Sequence, residues 1–398
     1  GNLSCFSQRL SDKPAGGAYN VPESLSRDMG LSPPADGAGR DPRFVYNIHG
    51  EVLGRAHGPQ PTQPGVDVDG YSVNSSAAYE VMLDCLPDGV PARWVQVILH
   101  RKHCRTMRPD IEAVIDREWE RQRQSSDPSV KLFDGKLFRF GSCQRWLAAD
   151  GSQEVRLELG VTRYRSFIGT NMAPQWELWP PEHLANPISC VAVVHTIDGC
   201  VMIIRRSDQV QTAKSAYALP GGYVSPDRAR VPESVSLVPL PTEDSQEIKC
   251  VYGYSLWPGC KFWRPVQHDN TDARPYSAVV RELFECPVRE ACEELGLPRD
   301  AFPDPPLLLG VVRTRRNHRP SAAFYLRTPL SSHQVEAYHA KNHSFESDEC
   351  VAVREKDAVP TIPLNMPSCS RGALYLFTHF RAHQCHTRRQ GEGAEAGL

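Results

Sequence analysis

The chain has no run of 18 apolar residues, so no helix long and apolar enough to cross a bilayer is expected. It has no C-x-x-C pair among its 13 cysteines. That odd, scattered set excludes a disulfide framework and a ribbon-type zinc site. Charge imbalance is missing too: 45 Lys and Arg against 47 Asp and Glu leave a net charge of −2. No nucleic-acid partner is expected from that balance, despite the short basic stretch from His100 to Arg105. No secretory signal is read at the start. Cys190, Cys200 and Cys292 sit inside apolar runs, where a free cysteine acts as a small core residue. A reducing, cytoplasmic setting is the expectation.

What is present organises itself in sequence order. At 398 residues there is room for two domains with sizeable cores. Residues 1-75 are rich in Gly, Pro, Ser and Asp, with Phe44-Val-Tyr46 the one apolar island, and read as a disordered extension. If a Met precedes Gly1, then Gly1 and Cys5 approach a signal for double acylation, with membrane association as the expected result. The usual Ser/Thr position of that signal, however, is taken by Cys5.

Residues 76-175 read as a small α+β domain. It has strands at Tyr79 to Leu83, Trp94 to Leu99 and Val155 to Leu159, and a hairpin from Lys131 to Phe140 around Asp134-Gly135. A helix capped by Asp110 runs to Gln124, with Ile111, Val114, Ile115 and Trp119 at helical spacing. Gly160 to Asn171 mixes aromatic, hydroxyl and cationic groups, as either a linker strand or a binding wall.

Residues 186-385 read as a second domain. Ser189 to His195 and Cys200 to Arg206 form a hairpin over Asp198-Gly199. Ala218 to Gly222 is a strand ending in a tight turn, followed by an insertion at 225-276 whose aromatics suggest a lid. Ser277 to Phe284 is helical, and Pro287 either kinks that helix or opens a new one. Strands at Pro306 to Arg313, Ser321 to Arg327 and Cys350 to Arg354 alternate with helices at Ser331 to Lys341 and Ser370 to Ala382. Residues 386-398 read as a disordered tail. The alternation predicts an α/β/α sandwich around a mixed sheet, preceded by the smaller α+β domain.

The most informative stretch is Arg289 to Leu297, Arg-Glu-Ala-Cys-Glu-Glu-Leu-Gly-Leu. On a helix, Glu290, Glu293 and Glu294 share one face, while Val288, Ala291, Cys292 and Leu295 form the opposite one. Gly296 supplies the left-handed stop. Three carboxylates on one face suit a hard divalent cation with oxygen ligands, and such a cation usually arrives with phosphate. The alternative is a solvated acidic face. His379, His383, Cys385 and His386 also show metal-like spacing, but read more simply as a helix end without metal.

Ala218-Leu-Pro-Gly-Gly222 and the acidic helix together resemble the two ends of the Nudix box, G-x5-E-x7-R-E-U-x-E-E-x-G-U, where U is a bulky aliphatic residue. The match is specific at the helix, apart from the small Ala291. Between its ends the pattern is broken: Glu290 stands 68 positions after Gly222 instead of 15, and Arg228 occupies the place of the first glutamate. Glu282 or Glu285 is the candidate substitute.

Four further stretches resemble the Nudix branch that hydrolyses UDP-glucose and UDP-galactose: Gly160 to Asn171, Ile204 to Val210, Leu307 to Arg313 and Ser370 to Ala373. The resemblance implies a nucleotide-covering domain at 76-175 with aromatic contacts from Phe133 and Tyr164. It implies a phosphate-facing Arg206, metal ligands Glu290 and Glu294, and substrate contacts near Cys369. Gln211, Ala218, Tyr223, Ser225 and Arg313 complete the candidate contact set, although the branch has polar or acidic groups where Ala218 and Ser225 stand. Glu293 and the carbonyl of Gly222 are further candidate metal ligands. Glu346 is the candidate general base, and Arg289 a structural residue.

The expected activity is Mg²⁺-dependent hydrolysis of a UDP-sugar to UMP and a sugar 1-phosphate, with Mn²⁺ as a substitute. The alternatives are hydrolysis of another nucleoside diphosphate derivative and non-catalytic nucleotide binding.

Overall fold

The computed structural model describes residues 44–46, 52–55, 78–125, 132–147, 153–208, 213–231, 278–342, 345–358 and 365–395. Contacts divide the chain into Gly1–Gly39 and Arg40–Leu398, and all described residues lie in the second unit. In chain order the elements begin with β1 (Phe44–Tyr46), β2 (Val52–Arg55), β3 (Tyr79–Asp84), β4 (Val90–Pro91), β5 (Val95–Leu99) and α1 (Pro109–Ser125). Next come β6 (Lys136–Leu147), β7 (Gln153–Arg163), α2 (Tyr164–Gly169), β8 (Ser189–His195), β9 (Cys200–Arg206), β10 (Tyr217–Ala218) and β11 (Gly221–Tyr223). The rest are α3 (Ala278–Leu295), β12 (Leu307–Thr314), β13 (Pro320–Arg327), α4 (Ser332–Asn342), β14 (Ser347–Arg354) and α5 (Ser368–Glu395).

Unbroken apolar runs mark strands buried on both faces. In β8, Cys190, Ala192 and Val194 enter one core while Val191 and Val193 enter the other. The same alternation divides Met202 and Ile204 from Val201 and Ile203 in β9. Helices α3 and α4 cover the first face, and α5 packs on the second against β12, β13, β8 and β3. The result is an α/β/α arrangement around a nine-stranded mixed sheet of order β10-β9-β8-β13-β12-β3, with β11 on β8, β14 on β9 and β4 on β12. The β13–β8 pair is parallel and its neighbours are antiparallel.

This sheet contains a fork. Strands β8 and β9 leave a common turn, where Gly199 has φ +77°, yet pair only at His195 and Val201. Beyond that point β11 takes β8 and β10 takes β9. Leu219 and Pro220 cross the opening, and the Pro220 carbonyl accepts the Ala192 N–H at 2.8 Å.

A second, three-stranded sheet has the order β5-β7-β6. Its edge strand β6 is pinned to the surrounding connections by Arg139, a buried cation that ion-pairs with no carboxylate among the described residues. Its guanidinium donates to the carbonyls of His103 (2.8 Å), Pro181 (2.9 Å) and Leu184 (2.9 Å). Burial pushes its pKa down to about 10, which still leaves it charged at neutral pH.

Several expectations change. Strands β3 and β4, expected in a separate first domain, pair with β12 of the main sheet. The hairpin around Asp134-Gly135 does not form. Instead β6 begins at Lys136 and pairs along its length with β7. Asp134 accepts the Arg165 N–H at 3.0 Å and ion-pairs with Arg163, because an Asx side chain can satisfy a nearby backbone group without a tight turn. Helix α1 starts at Pro109, where a missing N–H costs nothing, and Asp110 lies in its first turn.

Pro287 does not open a new helix but lies inside α3. The packed apolar stripe on both sides of it carries one helix through the lost hydrogen bond. The expected disordered tail is helical as far as Glu395, since Arg388, Arg389, Gln390, Ala394 and Glu395 are good helix formers. Within the expected disordered extension, β1 and β2 pair antiparallel. The acylation candidates Gly1 and Cys5, and most of the insertion with its expected lid, lie outside the described residues.

Replacing Arg139 with Met should remove three charge-assisted hydrogen bonds and leave the His103 and Leu184 carbonyls without donors, Pro181 keeping the Leu184 N–H. Urea unfolding should then show a loss of roughly 3 kcal/mol or more. A loss under about 1 kcal/mol would mean that those carbonyls find other donors.

Candidate metal and phosphate site

Helix α3 is fixed at its C-terminus before its acids are considered. Gly296 has φ +67°, and the Leu297 N–H returns to the Cys292 carbonyl at 3.0 Å, a Schellman closure. The Glu294 carbonyl, otherwise an orphan of the last turn, accepts the Ser347 hydroxyl at 2.9 Å. Ser347 in turn meets His339 Nε2 at 3.0 Å in a buried contact. The end of α3 is thus tied to the start of β14, and this places Glu346 beside the acidic face. Ser207 completes the link from β9: its N–H donates to the Glu346 carbonyl (2.9 Å) and its hydroxyl to that of Phe345 (2.6 Å).

The acidic face points into the sheet's fork. Glu294 is only 2% exposed. One of its carboxylate oxygens, Oε2, accepts the Gly221 N–H at 2.9 Å. The other, Oε1, is buried without a hydrogen-bond partner, and its nearest cation is Arg206 Nη1 at 3.9 Å. The Glu290 carboxyl lies against Gly222 so closely that a Cβ there would collide with it. The solvated-face alternative therefore fails.

Burial pushes all three carboxyls up. Glu290 rises to about 7, helped by the charges of Glu293 and Glu346. Glu293 is raised by burial and by Glu346. Glu294 is raised by burial, then by Glu290 and Glu346, against the pull of Arg206. Among the described residues no three acidic, His or Cys side chains close into a finished cage. An orphaned buried oxygen surrounded by repelling carboxylates nevertheless fits a divalent cation as the missing counter-charge. Glu290, Glu294, Glu293 and the Gly222 carbonyl are the residues placed to hold one.

Glu282 and Arg289, seven positions apart on α3, form a clamp. The Arg289 guanidinium donates to Glu282 at 2.9 and 3.3 Å, and the Ser225 N–H donates to the same carboxyl at 3.2 Å. Arg289 is therefore structural, as its position off the acidic face implied. Glu282 is a partner for Arg289 and not an open ligand. Glu285 is on the surface with Arg299 at 3.3 Å.

The aromatic candidates come from the small sheet. Phe133 is 56% exposed. Its neighbour Gly135 accepts the Tyr164 N–H at 3.0 Å, which brings residues 133–135 alongside α2. The Tyr164 ring sits edge-on to Tyr223 at 6.3 Å and tilted to Phe167 at 6.1 Å. Burial raises the Tyr164 phenol, and the charges of Arg319 and Arg206 are felt there. Thr170 and Asn171 are internal instead of forming a binding wall. The Asn171 amide donates at 2.7 Å to Asn186 and to the Asn317 carbonyl, and Thr170 accepts the Ala185 N–H.

Other candidates are already engaged. Ala218 is buried in β10 opposite Ile204. Arg313 Nη2 holds Glu80 at 2.7 Å. Buried Cys369 receives Arg319 Nη2 at 3.2 Å. Gln211 lies outside the described residues. The His379 ring is on the Tyr375 carbonyl at 2.9 Å. Arg319 and the ordering of Glu346 by Ser347 carried no sequence signal, because both depend on contacts between distant segments.

The three raised carboxyls fix a pH dependence. A carboxyl with a raised folded pKa contributes stability that is complete below its unfolded value and lost as pH climbs through its folded value. Metal-free protein should therefore lose stability from this cluster between about pH 5 and pH 8. Glu294→Gln keeps an oxygen for the Gly221 N–H but removes a charge. With chelator present, its melting temperature should exceed wild type near pH 8, with the gap shrinking towards about pH 5. A variant no more stable than wild type at the higher pH would mean that the cluster is already neutralised.

No family model matches the chain. It is 27% identical over 316 residues to Nudix hydrolase 9 of Arabidopsis thaliana, covering 75% of this chain and 90% of that protein. It is 30% identical over 273 residues to the uridine diphosphate glucose pyrophosphatase NUDT22 of Homo sapiens, covering 65% of this chain and 77% of that protein. A solved MutT protein from Methanosarcina mazei aligns at 15% identity over 50% of this chain and 94% of its own, with a TM-score of 0.24 that carries no argument. The level and coverage of the human match, with the acidic helix in the sheet's fork, make the chain a member of the Nudix hydrolases, enzymes that cleave diphosphate linkages.

Proposed function

We propose that the chain hydrolyses the diphosphate bond of a UDP-sugar, such as UDP-glucose or UDP-galactose, to UMP and the sugar 1-phosphate, with Mg²⁺ or in its place Mn²⁺. The observation that carries this reading is the buried, unpartnered Oε1 of Glu294, set among Glu290, Arg206 and Glu346 where β8 and β9 separate. The relatives named for UDP-glucose support the substrate class.

Glu290 and Glu294, with Glu293 and the Gly222 carbonyl, would hold the divalent ion. Its positive charge would offset the diphosphate's and favour deprotonation of the attacking water. Arg206 faces the same point from β9 and takes phosphate oxygens through its planar fork. Glu346 accepts the proton of the attacking water, since the Ser207 and Ser347 contacts hold it beside the acids. Residues 76–175 cover the nucleotide, with Tyr164, Tyr223 and the exposed Phe133 gripping the base. Tyr164 lies within the field of Arg206, so an aromatic grip on one side and acids on the other put the diphosphate, not the glycosidic bond, at the reacting position.

Chromatography of a reaction with UDP-glucose and Mg²⁺ should show UMP and glucose 1-phosphate only. UDP with free glucose would overturn the mechanism, and faster cleavage of ADP-ribose would overturn the substrate. Glu290→Gln and Glu294→Gln should each lower kcat by at least about 100-fold while the protein stays folded. Tyr164→Ala should raise KM by roughly tenfold with little change in kcat, because stacking on the base is equal in ground and transition states.

A further inference from the structure

Three groups given a part in the reaction come from three separate segments: Glu294 from α3, Arg206 from β9 and Glu346 from the residue before β14. Ser347 meets all three. It follows Glu346 in the chain, stands opposite Arg206 in the β14–β9 ladder, and donates its hydroxyl to the Glu294 carbonyl at 2.9 Å. A hydroxyl has one proton to give, so in the 3.0 Å contact with His339 Nε2 the imidazole is the donor. Both side chains are shut away from water, with Ser347 at 1% exposure and His339 at 5%.

We propose that Ser347, oriented by His339, is a positioning residue of the hydrolysis, which holds the base Glu346 in register with the metal acid Glu294. The proposal rests on the diphosphatase reading above and deepens it.

The ladder by itself does not fix that register. Ser347 pairs with Arg206 and Glu349 with Arg205, so Asp348 is the extra residue of a β-bulge. A bulge interrupts the ladder and re-aims the side chains around it. A slip by one position would put Phe345 or Ser347 where Glu346 stands.

Side chains supply what the ladder does not. On one side of Glu346 the Ser207 hydroxyl holds the Phe345 carbonyl at 2.6 Å, and on the other the Ser347 hydroxyl holds the end of α3. Helix α4 can bring His339 to this point because Gly296 has no side chain. A Cβ there would stand 3.0 Å from the backbone of Asn342, the last residue of α4. One imidazole thus orders one hydroxyl, and that hydroxyl ties two functional segments together. Without it Glu294 and Glu346 lose their common reference, and a shift of about 1 Å at a reacting centre costs on the order of 100-fold in rate. The aromatic grip on the nucleotide comes from other segments and is untouched.

Ser347→Ala, His339→Leu and His339→Gln, whose amide restores a donor in place of the Nε2–H, test this in the full chain. With UDP-glucose and Mg²⁺, Ser347→Ala and His339→Leu should each lower kcat by about 100-fold, with KM within about twofold of wild type. His339→Gln should recover most of that rate. A risen KM at unchanged kcat, or a loss in His339→Gln as large as in His339→Leu, overturns the proposal. Calorimetric titration with Mn²⁺ alone gives a readout independent of turnover. Ser347→Ala should bind the ion about tenfold more weakly than wild type, the usual effect of losing a group behind a metal ligand. Equal Mn²⁺ affinity overturns the positioning role whatever the kinetics show. Thermal melts check that each variant is folded, and should Ser347→Ala fail to fold, the two His339 variants decide by the same measurements. If wild type turns over no nucleotide sugar while Mn²⁺ affinity still separates the proteins, the diphosphatase reading has failed and the positioning role has not.

Discussion

A single unfavourable placement governs this molecule: the carboxylate of Glu294 is almost fully buried and only one of its oxygens is satisfied. A buried charge without a full complement of partners is expensive, and a protein keeps one only where something else supplies the balance. The surrounding structure is arranged to make the group tolerable without quenching it. Gly221 gives one N–H, Gly222 gives up a side chain so that Glu290 can approach, and Arg206 stops at 3.9 Å, close enough to attract but too far to bond. A shorter contact would neutralise Glu294 permanently and leave no demand for a cation.

The sheet's fork makes that arrangement possible. Had β8 and β9 paired along their length, the space below α3 would be filled by a continuous ladder. Their separation after His195 and Val201 lets the short β10 and β11 enter, bringing two glycines under the acidic helix. The other face of the sheet, under α5, contains Val191, Val193 and Phe377 in apolar contact, with the buried His195–Glu355 pair beside them. One face holds the sheet rigid and the other positions charge, consistent with sites being most precise when carried by rigid elements.

What was legible in the sequence was local. The acidic face, the Gly296 stop and the Asp198-Gly199 turn each depend on a few adjacent residues and were read correctly. So were most strands of the main sheet, because burial on both faces leaves an unmistakable apolar run. Asp134-Gly135 misled because Asp-Gly is a hairpin signal only if both flanks are free to pair with each other. Here β7 takes β6, and Asp134 is occupied by Arg165. The fork was invisible, since β10 and β11 are only two and three residues long. The proximity of Glu346 to Glu294 came from an isolated loop position whose confirmation needed the Ser347 contact, 53 positions from its partner.

The broken spacing of the box is also explained by ends and not by what lies between them. Arg230 at the close of the turn after β11 and Ala278 at the start of α3 line one small cavity, so the chain leaves and re-enters within a short distance. Closing a longer loop across fixed ends adds only about 0.6 kcal/mol for each doubling of its length. Gly222 and Glu290 can therefore stand 68 positions apart in sequence and still touch. The cost falls on the residues beside the junction. With the first glutamate of the pattern displaced by Arg228, Arg289 finds its anchor in Glu282 within its own helix, two turns earlier. The clamp that orients the acidic helix lies within α3, with only the Ser225 N–H added from the loop's start, and the acidic face stays where the sheet has put it.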